Sequence, residues 1–264
     1  MVAQLDFPRV AVDIVEKAQA FGVTLRVLGA TAFRLHCPEY IDIHMAMERE
    51  ITDIDFAAYS KEGKKIEEFF TRHHFNTDRK QAALTPGLFE GRHIYENPVD
   101  GLHVDIFEDK LNMCHVVNFH NRLHVDLPTI PLAEMTLEKV QIIRMNEKDI
   151  KDMLMLFAAH PVGEHDDQTI NGKYIADLLS KDWGFYHTTQ MNLGKIREGL
   201  ARYGSFFSAP DVENITARID RLSQMIEQAP KSLKWKTRAA VGTRMQWYND
   251  VEEVERATHL NDIG

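Results

Sequence analysis

The 264-residue chain suits one large domain or two modest ones, and 44% hydrophobic with 27% charged residues describes a globular protein, not a fibrous or disordered one. With 31 Lys and Arg against 40 Asp and Glu, its formal charge is -9, the opposite balance from a protein that coats nucleic acid. The only cysteines, Cys37 and Cys114, cannot build a disulfide framework or a four-thiolate zinc site, so a reducing compartment is expected.

The N-terminus lacks a basic segment followed by an apolar one, and no apolar run approaches the roughly 20 residues that cross a bilayer. The expectation is a soluble, cytoplasmic protein with no membrane partner. Val10, Val12, Ile14, Val15, Ala18 and Phe21 give a helical stripe that Gly22 ends. Val23 to Gly29 then reads as a strand. ATAFRL turns directly into a helix, placing Gly29 at a strand-to-helix junction, and Pro38 interrupts that element.

YIDIHMAM and ITDIDFAAYS both alternate with period two and read as strands. KEGKKIEEFFTRHHF reads as an amphipathic helix that turns Ile66, Phe69 and Phe70 inward. HIYE, LHVDIFE and MCHVVNF are further strands. At Pro131 the pattern changes to helices: PLAEMTLEKVQIIRM, NEKDIKDMLMLFAAH, TINGKYIADLLSKDW, NLGKIREGLARYG, DVENITARIDRLSQMIEQAP and NDVEEVERATHL. Asp211 is placed to cap the fifth of these. The polar stretch from His160 to Gly172 reads as a linker or a loop beside a site. The organisation is therefore α+β, with a mixed β-sheet and flanking helices over residues 1–130 and a helical domain over residues 131–264.

Chemistry concentrates in three aspartates. Asp53 and Asp55, two apart in ITDIDF, project from one strand face, and Asp105 sits in LHVDIF. Carboxylates from two neighbouring strands offer hard oxygen ligands for Mg2+ or Mn2+. The alternative is a strand whose polar face meets water. Gly29 is a second feature, since a glycine before a helix lets phosphate approach backbone amides, with the Thr31 hydroxyl close by; a tight packed turn is the other reading. The lysine and glycine spacing of a P-loop is absent.

Taken in order, Gly29 to Phe33, then Asp53-Ile54-Asp55, then Asp105 resemble the nucleotidyltransferase superfamily, and within it the group related to AbiEii-type toxins of bacterial toxin–antitoxin systems. Ala133 and Lys139, followed by Lys148, Asp149 and Asp152, are similar to that group's later segments, so the resemblance spans about residues 20–157. Ala30 stands where a second glycine is usual, and the hydroxyl of Thr52 is shifted by one position. The resemblance implies a nucleotidyltransferase-like fold and metal-dependent transfer of a nucleoside monophosphate from ATP or another nucleoside triphosphate to an acceptor hydroxyl on a protein, an RNA end or a small molecule. It implies that Asp53, Asp55 and Asp105 are the catalytic metal ligands and that Gly29, Ala30, Thr31 and Lys139 meet the nucleotide. Arg49 and Asp149 would contact substrate. The alternatives are a non-catalytic nucleotide-binding or regulatory protein of the same fold, or a toxin–antitoxin component that binds a protein partner.

His103 shares a strand face with Asp105 and, with His115, is a candidate substrate contact; the other histidines lack a metal-site pattern. No serine sits in a nucleophile-elbow setting. Lys231 to Arg244, with Trp235 and Trp247, would either face a polyanion or pack into the helical half.

Overall fold

The computed structural model describes residues 5–77 and 91–251. The first helix, α1, runs Phe7–Phe21, three residues earlier than its stripe suggests, because the Asp6 carboxylate caps it by accepting the Arg9 N–H. Gly22 ends it in the left-handed region, φ 82°, and returns its N–H to the Ala18 and Gln19 carbonyls. Strand β1 (Leu25–Leu28) follows and passes without a loop into α2 (Gly29–His36).

YIDIHMAM is not a strand. Pro38 opens a short 3-10 turn that feeds α3, Ile41–Ala46. The alternating Ile41, Ile43 and Met45 are misleading, since Met45 is exposed; the inward side of the segment is carried by His44 and Met47. A buried histidine breaks the apolar pattern on which the strand reading rests.

Next come β2 (Ile54–Ala58), α4 (Gly63–Arg72) and β3 (Asn76–Thr77), then β4 (Arg92–Glu96) and β5 (His103–Glu108). They form one mixed sheet of order β1-β2-β5-β4-β3, in which only β2 and β5 are parallel. The predicted strand MCHVVNF becomes half of a hairpin, β6 (Lys110–Asn112) with β7 (Val116–Asn118).

From Leu132 the described residues are mainly helical: α5 (Leu132–Val140), α6 (Glu147–Ala159), α7 (Gly172–Leu179), α8 (Trp183–Tyr203), α9 (Ala209–Gln228) and α10 (Leu233–Val241). The polar stretch before α7 contains two two-residue strands, β8 (Val162–Gly163) and β9 (Ile170–Asn171), paired in parallel. The proposed helix NDVEEVERATHL lies outside the described residues from 252 onward. The fold is thus α+β, with a mixed sheet and a helical C-terminal region. Buried side chains from both halves join in one continuous hydrophobic cluster. Among the described residues no helix is long and apolar enough to cross a membrane.

Asp211 does not cap α9 as its first residue would. Ser208 is the cap, and Asp211, three positions on, returns the bond in a reciprocal capping box. Ser208→Ala is expected to lower unfolding free energy by about 1 kcal/mol in urea titration, with the denaturant slope unchanged.

Candidate metal and phosphate site

The parallel pairing of β2 with β5 creates the site. In that register Asp55 lies opposite Asp105, with Leu28 at the end of β1 opposite Asp55 on the other side. Residues opposed in a ladder share a face, and Asp53, two residues before Asp55, returns to that face. One carboxylate oxygen each from Asp53, Asp55 and Asp105 lies within 4.8 Å of the others. The sequence-predicted trio therefore converges.

Its electrostatics are strained. Asp105 is 2% exposed and receives Arg92 Nη2 on Oδ2 at 2.5 Å. Arg92 sits two residues before Ile94, the β4 partner of Asp105, and its guanidinium lies 5.1 Å from the Phe107 ring centre. Burial, then the charges of Asp53, Asp105 and Glu138, push the Asp55 carboxyl well above its ordinary range; Arg92 only partly offsets them. Crowded carboxylates of this kind fit a divalent cation, whose charge relieves the repulsion and whose preference is for oxygen.

Gly29 explains how the trio fits under α2. Its φ is +68°, and a Cβ placed there would stand 2.5 Å from Asp55 Oδ2. Both the backbone conformation and the close approach require glycine. Its N–H points to Glu138 Oε2 at 3.3 Å. Glu138, from α5, is buried, and burial raises its carboxyl to about 7 against the opposing pull of Lys139 and the Gly29 N–H. Ala30 follows Gly29 in the first turn of α2. Thr31 is buried, and its hydroxyl donates to the Asp53 carbonyl at 3.5 Å. That bond ties the first turn of α2 to the residue just before β2.

Arg49, Lys139 and Asp149 belong to a buried ion network centred on Asp152 of α6. Arg49 grips Asp152 with Nε at 2.9 Å and Nη2 at 3.0 Å. Lys139 Nζ bonds Asp152 at 2.9 Å and Asp149 at 3.1 Å. His44 Nε2 lies 2.8 Å from Asp152, while its Nδ1 accepts from Arg34 Nε at 3.4 Å, which assigns the proton to Nε2. Burial alone would raise the Asp152 carboxyl, but Lys139, His44 and Arg49 hold it far below the usual range. Asp149 also closes the capping box of α6 with Asn146. Arg49, Lys139 and Asp149 thus brace the floor of the site, and their charged groups are engaged with protein partners.

His103 lies on the same face of β5 as Asp105, two residues away, and its Nδ1 has no hydrogen-bond partner among the described residues. His115 is elsewhere: its Nε2 is 2.8 Å from Thr188 Oγ1 and its ring stacks on Phe185 at 4.8 Å. Burial lowers its pKa to about 4, so it is neutral. It lines a separate cavity of 790 Å³ whose wall includes Arg238 and Trp247 and none of the three aspartates.

The basic stretch is divided: Lys234, Lys236 and Arg244 are exposed, while Lys231, Trp235 and Arg238 are half-buried against the helical region. Lys231 Nζ donates to the Glu227 and Ala229 carbonyls at 2.9 and 3.0 Å, and Arg238 lies 4.8 Å over Trp183 while bonding the Gly242 carbonyl at 2.7 Å. Trp235 meets Tyr186 edge-on at 5.1 Å.

Sequence reasoning missed Glu138 and Arg92. Glu138 passes for a solvated helix residue beside Lys139. Four residues before it stands Glu134, also buried, paired with Arg122 at 2.5 Å; that spacing of acids on a helix opening at a proline was the available signal.

No protein-family model matches the chain, and no curated protein sequence matches it. One solved structure, described as a tRNA-processing enzyme (apo form I), is similar with a TM-score of 0.28 and 12% identity, covering 81% of this chain. This chain spans 59% of that one, and a likeness so low carries no argument about activity.

Proposed function

We propose that the chain is a metal-dependent nucleotidyltransferase, moving a nucleoside monophosphate from ATP or another nucleoside triphosphate to an acceptor hydroxyl. The observation that carries this reading is the meeting of Asp53, Asp55 and Asp105 oxygens within 4.8 Å at the foot of a glycine-initiated helix. These three side chains would hold Mg2+ or Mn2+. When bound, such ions polarise phosphoryl oxygens and offset charge on the leaving group. Asp105, steadied by Arg92, would take the acceptor proton as the acceptor oxygen bonds the α-phosphorus, while the bond to the β-phosphate breaks and pyrophosphate leaves. The resemblance to AbiEii-type toxins extends this to a proposed cytoplasmic enzyme with a protein, RNA or small-molecule acceptor.

The second reading is a non-catalytic nucleotide-binding or regulatory protein, or a toxin–antitoxin component that binds a protein partner. It is favoured by the internal countercharges: Arg92 already sits on Asp105, and Glu138 on the Gly29 amide. Incubation with α-labelled ATP, CTP, GTP and UTP, cell RNA and cell protein separates the two. Label should enter one pool with Mg2+ or Mn2+ and vanish in Asp53→Ala and Asp105→Ala. Labelling that survives both substitutions overturns the assignment, and no labelling in the parent protein favours the second reading.

A further inference from the structure

Glu138 is a buried carboxylate with an incomplete set of partners. It is 4% exposed on α5, a helix whose nine residues are all buried. Its Oε2 accepts the Gly29 N–H, and its Oε1 is buried with no hydrogen-bond partner among the described residues. The adjacent Lys139 directs its ammonium to Asp149 and Asp152 instead. What Glu138 does face is the N-terminus of α2, where the helix dipole and the Gly29 amide favour an anion. It holds that place at the expense of Asp55, whose ionisation it opposes.

A polyphosphate would bring oxygens to the same amide. It cannot share one N–H with a carboxylate, and two anions side by side in a poorly solvated space repel. Resting on the transferase reading above, we propose that Glu138 is an internal stand-in for donor phosphate: it occupies the Gly29 amide in the free protein and yields it when a polyphosphate enters, setting the threshold for donor binding. The glutamate side chain has enough rotatable bonds to withdraw while α5 stays in place. Gly29, lacking Cβ, lets the Asp55 carboxylate stand against the same backbone, so a phosphate at the amide would lie beside the aspartates. Glu138 is therefore a positioning residue whose charge works against substrate.

Calorimetric titration with inorganic tripolyphosphate at fixed Mg2+ tests this. Glu138→Gln keeps the shape and an acceptor for the Gly29 N–H but removes the charge. The dissociation constant should fall by about tenfold or more. Equal or weaker binding, in a variant that melts within a few degrees of the parent, overturns the proposal. If the variant does not fold, the parent answers: its Gly29 amide NMR signal should move as tripolyphosphate replaces the carboxylate, and a fixed signal at saturation overturns the proposal. Label transfer in the parent together with either negative result removes the Glu138 assignment alone. Absence of both tripolyphosphate binding and label transfer in every protein removes the transferase reading and this inference with it.

Discussion

Alanine in place of Asp152 is expected to destabilise the protein by about 3–5 kcal/mol, measured by urea unfolding. Asp152 is fully buried and answers three side chains at once: Arg49, Lys139 and His44. Removing it leaves two buried cations short of countercharge and the His44 N–H without an acceptor. A surface pair such as Lys17 with Asp13 would cost less than 1 kcal/mol, since both of its partners are already in water. The pH dependence carries the same sign. The Asp152 carboxyl is held below its unfolded value, so its stabilisation is complete above the ordinary carboxylate range and is lost as acid brings the pH down toward its depressed folded value. A cost under about 1 kcal/mol would mean that water reaches the network.

Asp55→Asn is expected to act in opposite directions on activity and stability. On the proposed transferase reading, label transfer should fall roughly a thousandfold, the scale on which loss of a charge-stabilising group is felt. Without metal, the fold should gain about 1 kcal/mol at neutral pH, because one of four crowded acids is gone. Here the sign is reversed from that of Asp152. The folded Asp55 carboxyl is raised above its ordinary 3.8, so its ionisation destabilises the fold as pH rises through that window and costs nothing below it. Parent and variant should therefore have equal stability in acid and diverge toward neutrality, and added Mg2+ should close the gap by stabilising the parent alone. Thermal melts at two pH values, with and without Mg2+, check all three statements. A variant less stable than the parent under metal-free neutral conditions would contradict the repulsion inferred for the trio.

Much of this architecture is legible in the sequence because local patterns agree with global ones. The run of branched residues before Gly29 forms a strand, the glycine marks its junction with a helix, and the paired aspartates of ITDIDF fall on one face. The change to helices at Pro131 is equally plain. What the sequence does not contain is register. That Asp55 lies beside Asp105 depends on a parallel pairing between segments about fifty residues apart, and no short-range rule specifies it. The ion network is illegible for a related reason. Arg49, Lys139 and Asp149 look like solvent-facing or substrate-facing groups because long charged side chains are usually exposed. Only the assembled fold brings them to Asp152. The same blindness turned α3 into a strand, since His44 counts as polar in a pattern although it lies wholly inside.

Helix α5 has a consequence for how the protein fails. Every one of its residues is enclosed, and along its length Glu134 holds Arg122, Glu138 holds the start of α2, and Lys139 holds α6. It serves as an axle through both halves of the chain. Damage to the packing of such a spindle loosens both halves together and lowers the amount of folded protein. Lesions in its apolar filling would register as missing protein, whereas Glu138→Gln, or changes confined to the three aspartates, would leave the fold standing.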